Sequence, residues 1–136
     1  MKLRKYKKYH KNKNIYKIEK NNSVRQGFYG VKAVNQGILT PKQIETARRT
    51  ISRITGRSAK VLLRLNFEQP LTKKPLLTRM GKGCGEISKW ISYIKKGKII
   101  IEFLGVSKKV AIVLFKAIKK SLPLKFELIY REIGDA

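Results

Sequence analysis

The chain has 136 residues, and its 33 lysines and arginines against 8 acidic residues give a formal net charge of +25. Such a charge on a short chain repels itself, and a polyanion relieves that repulsion while releasing its own condensed counterions. Composition therefore favours nucleic acid as the partner. The hydrophobic content of 42% is still enough to build a core, so the chain is not simply a disordered tail.

Most enzyme and metal sites are excluded by single-residue counts. Cys84 is the only cysteine, His10 the only histidine and Asp135 the only aspartate. These counts exclude disulfides and Cys/His zinc clusters, and they remove most Cys/His and Ser/His catalytic arrangements. We therefore predict no catalytic residue, no metal site and no cofactor, and we expect that the protein is not an enzyme.

Membrane association is not expected either. No apolar run approaches the roughly 20 residues of a membrane span, and the N-terminus has no stretch like that of a signal peptide. The basic N-terminal segment lacks the bulky apolar face and the lipidation signal that hold basic chains at a membrane surface. We expect no membrane insertion, and we expect the chain to work in the compartment where it is made.

Residues 1–22 are predicted to be a basic arm, because they carry nine lysines and arginines with Tyr6, Tyr9 and Tyr16 interleaved. Lysines neutralise phosphates while tyrosine rings stack on unpaired bases, a combination typical of extensions that thread into RNA. The arm is expected to become ordered on its partner, and a solubilising tail is the alternative. Residues 23–136 are predicted to form a single folded domain.

A strand at 28–34 is predicted to precede a helix. Thr40 and Gln43 have the spacing of a capping box, Pro41 suits the first helical position and Gly56 suits the end. At 100° per residue the apolar side of this helix collects Ile44, Ala47, Ile51 and Ile54. The opposite side is a basic stripe made of Lys42, Arg49, Arg53 and Arg57.

The basic stripe is expected to contact phosphates. A surface helix that only keeps a protein soluble mixes both signs of charge, whereas the single acid of this helix, Glu45, lies off the stripe. A solvated face is the alternative.

The next elements are a strand at 61–67, an irregular segment at 70–75 and a loop at 79–85. Glycine at every second position from Gly81 to Gly85 is incompatible with a helix or a stable strand, so the backbone of this loop can approach another chain closely. The spacing is not that of a nucleotide-binding phosphate loop. By spacing alone, a plain hairpin connection is as consistent as a functional loop.

The C-terminal part is predicted to contain a hairpin, a helix and a strand. Segments 90–94 and 99–104 flank a basic turn and are typical of a hairpin. Ser107 suits the start of a helix that extends to about Leu122, where Pro123 stops it, and a last strand covers 125–130. The predicted class is α+β, with two helices packed on a mainly antiparallel sheet.

Longer motifs point to a known family. They are Gly30–Val34, Leu39–Glu45 with Ala47–Arg49, Lys74–Leu76 and Arg79–Gly83. In this order and spacing, from about Lys5 to Ile129, the chain resembles the bacterial and organellar L sixteen family of large-subunit ribosomal proteins. The resemblance implies the α/β-hammerhead form of the α+β class. It also implies three partners: large-subunit rRNA, neighbouring large-subunit proteins and, transiently, aminoacyl-tRNA near the peptidyl-transferase centre.

The resemblance also assigns site residues. The basic arm of the family matches Lys5–Lys8 and His10–Lys11, and its glycine loop, which points toward the tRNA, matches 79–85. The predicted rRNA-binding residues are Lys5, Lys7, Lys8, His10, Lys11, Lys42, Arg49, Arg53 and Arg57. The predicted tRNA-site loop consists of Arg79, Met80, Gly81, Lys82, Gly83, Cys84 and Gly85. Two departures are a shortened Pro-Lys-Arg opening and Cys84 in place of the usual second loop lysine.

The composition also favours a particular compartment, and two rival functions stay open. Lysine outnumbers arginine 24 to 9, and asparagine and isoleucine are abundant, as an AT-rich coding genome favours. We expect a mitochondrial ribosome and synthesis inside the organelle, with a plastid or a bacterial cytoplasm as alternatives. The rival functions are a basic protein that compacts RNA or DNA, and a non-catalytic accessory of an RNA-modifying enzyme.

Overall fold

The computed structural model describes residues 8–10, 17–20 and 23–131. In chain order the elements are β1 Tyr29–Ala33, β2 Gly37–Leu39, α1 Pro41–Ile54, β3 Lys60–Leu63, β4 Gln69–Lys73, β5 Glu86–Ile94, β6 Ile99–Leu104, α2 Lys108–Ser121 and β7 Phe126–Tyr130. Two helices combined with antiparallel strands confirm the predicted α+β class.

The strands form two sheets. One has four strands in the order β3-β6-β1-β7, and the other has three in the order β2-β5-β4. Every pairing among these strands is antiparallel. One buried cluster joins both sheets to α1 and α2, with Val31 of β1 and Phe103 of β6 fully buried in it. Since side chains alternate across a strand, the residue before Phe103 points to the opposite face of the four-stranded sheet.

The predicted limits and most of the predicted core face of α1 are confirmed. The Thr40 N–H donates a 2.9 Å hydrogen bond to Gln43 Oε1, and Pro41 occupies the first turn. Ile44, Ala47 and Ile51 are buried. The assignment of Ile54 to the core was wrong, because this side chain in the last turn of the helix is exposed.

The second helix also begins and ends close to the predicted positions, with Ser107 and Leu122 as its caps. Buried positions are Ala111, Leu114 and Ile118, whereas Val110 is exposed.

Three strand predictions need correction. The segment 70–75 is not irregular, because β4 covers Gln69–Lys73. Pro70 is compatible with this strand since β4 is the outer strand of its sheet, where a missing N–H is tolerated. The strand predicted at 61–67 ends at Leu63, and Leu65 and Phe67 pack against the core from an irregular segment.

The predicted hairpin of β5 and β6 was also wrong. Both strands exist, but β5 pairs with β2 and β4 whereas β6 pairs with β1 and β3. The turn between them binds the end of β1: Gly97 N–H donates to Ala33 O at 2.8 Å, and Ala33 N–H donates to Lys98 O at 2.9 Å. The basic turn therefore carries the chain from one sheet to the other.

Neither helix of the described part is long and apolar enough to cross a membrane. Within the same residues, no group of three or more histidine, cysteine or acidic side chains is arranged to hold a metal ion.

Candidate nucleic-acid interface

The second half of α1 and the turn after it form a groove of about 610 Å³. We call it the arginine groove, and it is lined by Arg48, Arg49, Ser52, Arg53 and Arg57. Three of these arginines belong to the predicted basic stripe, so the fold brings them together. The fourth stripe residue, Lys42, is exposed near the start of the helix and does not line the groove.

Backbone geometry places Arg57 beside the helix end. Gly56 and Arg57 have φ angles of 56° and 68°, and the Arg57 N–H donates a 3.0 Å hydrogen bond to Ser52 O. This is the six-to-one bond of a Schellman-type helix end, which turns the chain back on the last turn. Arg57 thereby returns to the side of the helix that carries Arg53.

An acidic residue takes part in this surface, contrary to its expected separation from the stripe. Glu45 accepts hydrogen bonds from Arg48 Nε at 2.9 Å, from Arg48 Nη2 at 2.8 Å and from Arg49 Nε at 3.0 Å. The bonds from Arg48 and then Arg49 lower the pKa of Glu45 to about 2. The carboxylate is therefore charged at neutral pH, and the four arginines less this one acid carry a local charge of +3.

The two paired arginines differ in what they can still donate. Arg48 gives Glu45 a two-pronged contact, whereas Arg49 uses only its Nε–H and has an exposed side chain. A guanidinium group binds phosphate through a planar fork of donors. Arg49, Arg53 and Arg57 are therefore the residues of the groove best suited to phosphate, and Glu45 holds Arg49 in place.

The glycine loop is the connection between β4 and β5, and all residues from 76 to 84 are exposed. The φ angles of Gly81, Lys82 and Gly83 are 99°, 57° and 78°, so three successive residues have left-handed backbone. Lys74 Nζ donates to Gly81 O at 2.6 Å and holds the loop across its width. The loop is thus a hairpin connection with a defined shape.

The base of the loop leaves no room for a side chain. A Cβ atom added to Gly85 would lie 2.5 Å from Lys73 O and 2.7 Å from Lys74 N. The backbones on the two sides of the hairpin meet at this point, and only glycine permits that approach.

Two apolar residues of this connection, Leu76 and Leu77, were missed as site candidates, whereas Met80 was included in the predicted tRNA-site loop. Leu76, Leu77 and Met80 are each at least 90% exposed. The sequence signal that could have identified them is the pair of adjacent leucines beside Pro75 in an otherwise polar stretch. Large apolar side chains in such positions indicate contact with another molecule.

Predicted arm residues are only partly described. Lys5, Lys7 and Lys11 lie outside the described residues, whereas Lys8 and His10 are exposed. Lys8 Nζ lies 3.8 Å from Glu86 Oε1, at the start of β5 and hence beside the base of the glycine loop.

Glu102 is the residue that the sequence interpretation missed altogether. Its carboxylate is 1% exposed and lies in β6 between Ile101 and Phe103. It accepts hydrogen bonds from three consecutive backbone N–H groups, those of Arg25, Gln26 and Gly27, at 3.3, 2.9 and 2.9 Å. The sequence signal that could have identified Glu102 is an acidic residue within an apolar strand, because such a residue requires a buried partner.

A fourth donor completes the Glu102 site. Arg64 Nη1 lies 2.6 Å from Glu102 Oε1 and also donates to Ser23 O at 3.0 Å. Burial raises the pKa of the Glu102 carboxyl, but the backbone bonds from 25–27 and the bond from Arg64 outweigh burial, so the pKa lies below its ordinary value. This site fastens 23–27, the segment that follows the arm, to the sheet.

Comparison with known families gives a match that spans nearly the whole chain. The family described as ribosomal protein L16p/L10e matches residues 1–129. The chain belongs to the ribosomal protein L16p/L10e family. This confirms the resemblance drawn from the motifs. Both the arginine groove and the glycine loop of this L16p/L10e member fall inside the matched range.

Relatives of this L16p/L10e member carry the name large ribosomal subunit protein uL16. The protein of Buchnera aphidicola from Cinara cedri is 42% identical over 121 residues, covering 89% of this chain and 88% of the relative. The Carsonella ruddii protein is 41% identical over 126 residues, 93% of each chain. The Acinetobacter baumannii protein is 38% identical over 129 residues, 95% of this chain and 94% of the relative.

Proposed function

We propose that the protein is a non-enzymatic structural component of the large ribosomal subunit that binds its rRNA and helps to shape the aminoacyl-tRNA site. The names of the relatives support a place in the large ribosomal subunit. The observation that carries rRNA binding is the arginine groove, a cluster of four guanidinium groups on one surface, of which only Arg48 and Arg49 are bonded to an acid, Glu45. We also assign rRNA contacts to Lys42 and to the arm residues, Lys5, Lys7, Lys8, His10 and Lys11.

The first test removes two groove cations. Arg49→Gln with Arg53→Gln is expected to lower the slope of log affinity against log salt by roughly 1.4 to 1.8, because each lost phosphate contact lowers it by about 0.7 to 0.9. The measurement is binding of the full chain to transcribed large-subunit rRNA over a series of salt concentrations. An unchanged slope would show that the groove is only a solvated face.

Two matched variants of the groove sharpen this result. Arg49→Lys with Arg53→Lys keeps both charges but loses the planar fork, so the salt slope should stay while the affinity falls. Glu45→Gln raises the local charge by one and frees the Nε–H of Arg49, so the affinity for rRNA should rise. Since the pKa of Glu45 is about 2, this gain should be the same at any pH from about 4 to 8.

The glycine loop is proposed to position aminoacyl-tRNA. Its residues make little contact with the core, whereas Arg79 and Lys82 offer charge on an exposed hairpin of defined shape. Arg79→Ala with Lys82→Ala should therefore leave thermal stability and incorporation into the subunit nearly unchanged. Binding of aminoacyl-tRNA or the rate of peptide-bond formation should fall.

The comparison needs ribosomes that contain equal amounts of variant and parent protein. Equal tRNA affinity together with equal elongation rates would make the loop a structural connection only. Met80→Ala in the same loop removes an exposed apolar side chain without changing charge, so it separates an effect of lost apolar contact from an effect of lost charge.

We further propose that the chain belongs to a mitochondrial ribosome, because its composition is rich in lysine. The relatives named above are bacterial, so a bacterial cytoplasm and a plastid are the competing compartments. Fractionation of the source cells with an antibody against the chain distinguishes the three, and recovery outside mitochondrial ribosomes would exclude this assignment.

A further inference from the structure

A second groove, which shares no lining residue with the arginine groove, lies where the end of the four-stranded sheet meets the start of α2. It has a volume of about 250 Å³ and we call it the aromatic groove. Its lining consists of Phe28, Tyr29, Val106, Lys108, Tyr130 and Arg131. Three aromatic rings and two cations therefore meet in one place, and among the residues that the structure describes no acidic side chain lines it.

The walls of the aromatic groove are held by the fold. Tyr29 and Tyr130 are partners across β1 and β7, and the Arg131 N–H donates a 2.7 Å hydrogen bond to Phe28 O. Tyr29 stacks on buried Phe103 with ring centroids 5.6 Å apart. The groove is therefore a preformed surface, and a ligand would not have to order it.

Two of its rings remain open to a ligand. Phe28 is 54% and Tyr130 is 64% exposed, so neither ring contributes much to the core. Lys108 Nζ lies 5.9 Å from the centre of the Tyr130 ring. Exposed rings beside cations are the arrangement that holds single-stranded nucleic acid, since rings stack on bases while cations follow the backbone.

We propose that the aromatic groove binds one unpaired nucleotide of rRNA, with its base on Tyr130 and Phe28 and its flanking phosphates on Lys108 and Arg131. The small volume suits a single flat ring system. The positive lining suits an anionic strand and disfavours basic segments of neighbouring proteins. This inference rests on the proposed rRNA-binding function, but it concerns single-stranded RNA and a different surface from the arginine groove.

The test compares two variants of one residue in the full chain. The probes are a ten-nucleotide single-stranded adenylate and an RNA duplex of ten base pairs. Tyr130→Ala should weaken binding of the single strand roughly tenfold, as expected for one lost stacking contact, and should leave duplex binding within about twofold. Tyr130→Phe keeps the ring and should bind both probes like the parent. Thermal melting checks that both variants are folded.

A second readout locates the contact. Ultraviolet crosslinking of the parent protein to the adenylate strand, followed by peptide mass spectrometry, should place crosslinks on Phe28 or Tyr130. The inference is overturned if crosslinks fall only elsewhere, for instance on exposed Trp90. It is also overturned if Tyr130→Ala binds the single strand like the parent.

Two further outcomes distinguish a failure of the aromatic-groove proposal from a failure of the proposed ribosomal function. If Tyr130→Ala keeps full affinity for the single strand but enters the subunit poorly, a protein neighbour occupies the groove and the inference fails while the ribosomal role stands. If the parent protein binds neither probe nor rRNA, the proposed function itself fails.

Discussion

Replacing Glu102 by alanine is expected to destabilise the protein by about 3 to 5 kcal/mol, the usual effect of removing one partner from a buried ion pair. The substitution leaves the Arg64 guanidinium and the N–H groups of 25–27 without their acceptor. A domain of this size is stable by only about 5 to 15 kcal/mol, so a large part of its stability is at stake. Urea unfolding of variant and parent measures the difference.

Glu127→Ala is the matched control, because the ion pair of Glu127 with Lys32 lies at a partly exposed position and such pairs contribute about 0 to 1 kcal/mol. A loss at Glu102 no larger than that at Glu127 would show that the buried site adds nothing special.

Lowering the pH should weaken the stabilisation that Glu102 provides. The pKa of Glu102 is lower in the folded protein than its ordinary value of about 4.5, so the folded state binds this proton less readily than the unfolded state. Its contribution is complete above about pH 4.5 and is lost as the pH falls through the lowered folded value. Glu102→Gln should remove this part of the pH dependence of unfolding.

Alanine at Gly85 is expected to destabilise the protein by about 1 to 3 kcal/mol, as overpacking usually does, and to move the glycine loop. The new methyl group would press on the backbone of Lys73 and Lys74, which cannot move aside as a flexible side chain can. Arg79 and Lys82 would keep their charges but lose their positions. If loop position matters, tRNA affinity should fall as far as it does when both charges are removed.

Cys84→Ala is the neighbouring control, since Cys84 is exposed and its substitution brings no close contact. Thermal melting and tRNA binding to ribosomes of equal protein content are the two measurements. Gly85→Ala ribosomes that match the Cys84→Ala ribosomes in both would show that the close approach at the hairpin base is not required.

The limits of the two helices were predicted well, because the residues that begin and end a helix act over only a few positions. The capping box at Thr40, Pro41 in the first turn and Pro123 after the second helix each act within a few residues. The exposure of Ile54 could not be predicted from the same pattern, because periodicity gives the direction of a side chain but not whether another element covers it.

Strand partners were less predictable because pairing joins distant residues. Two apolar runs around Lys95–Lys98 match a hairpin pattern, yet β6 pairs with β1 and β3 and β5 pairs with β2 and β4, all of which lie outside that part of the sequence. The segment 70–75 was predicted to be irregular, but a proline such as Pro70 is tolerated in a strand that lies at the edge of its sheet.

The candidate interface shows the same division between local and distant causes. Helical periodicity grouped Arg49 and Arg53 correctly, and the glycine spacing predicted an exposed loop. Glu45 was placed off the stripe by its angle, but long arginine side chains reach across a helix surface. The aromatic groove combines residues from both ends of the chain, so no sequence window contains it.

The position of β1 between β6 and β7 has a consequence for the order of events during synthesis. Ala33 pairs with Phe126, which follows it by 93 positions (126 minus 33). The β4–β5 hairpin, by contrast, can close as soon as its own residues are made. Pairing between such distant segments is slow, and unpaired strands are open to aggregation until it occurs. Strand β1 is among the first to leave the translating ribosome and the last to gain both neighbours, so arrival of β7 should set the time at which the whole chain folds.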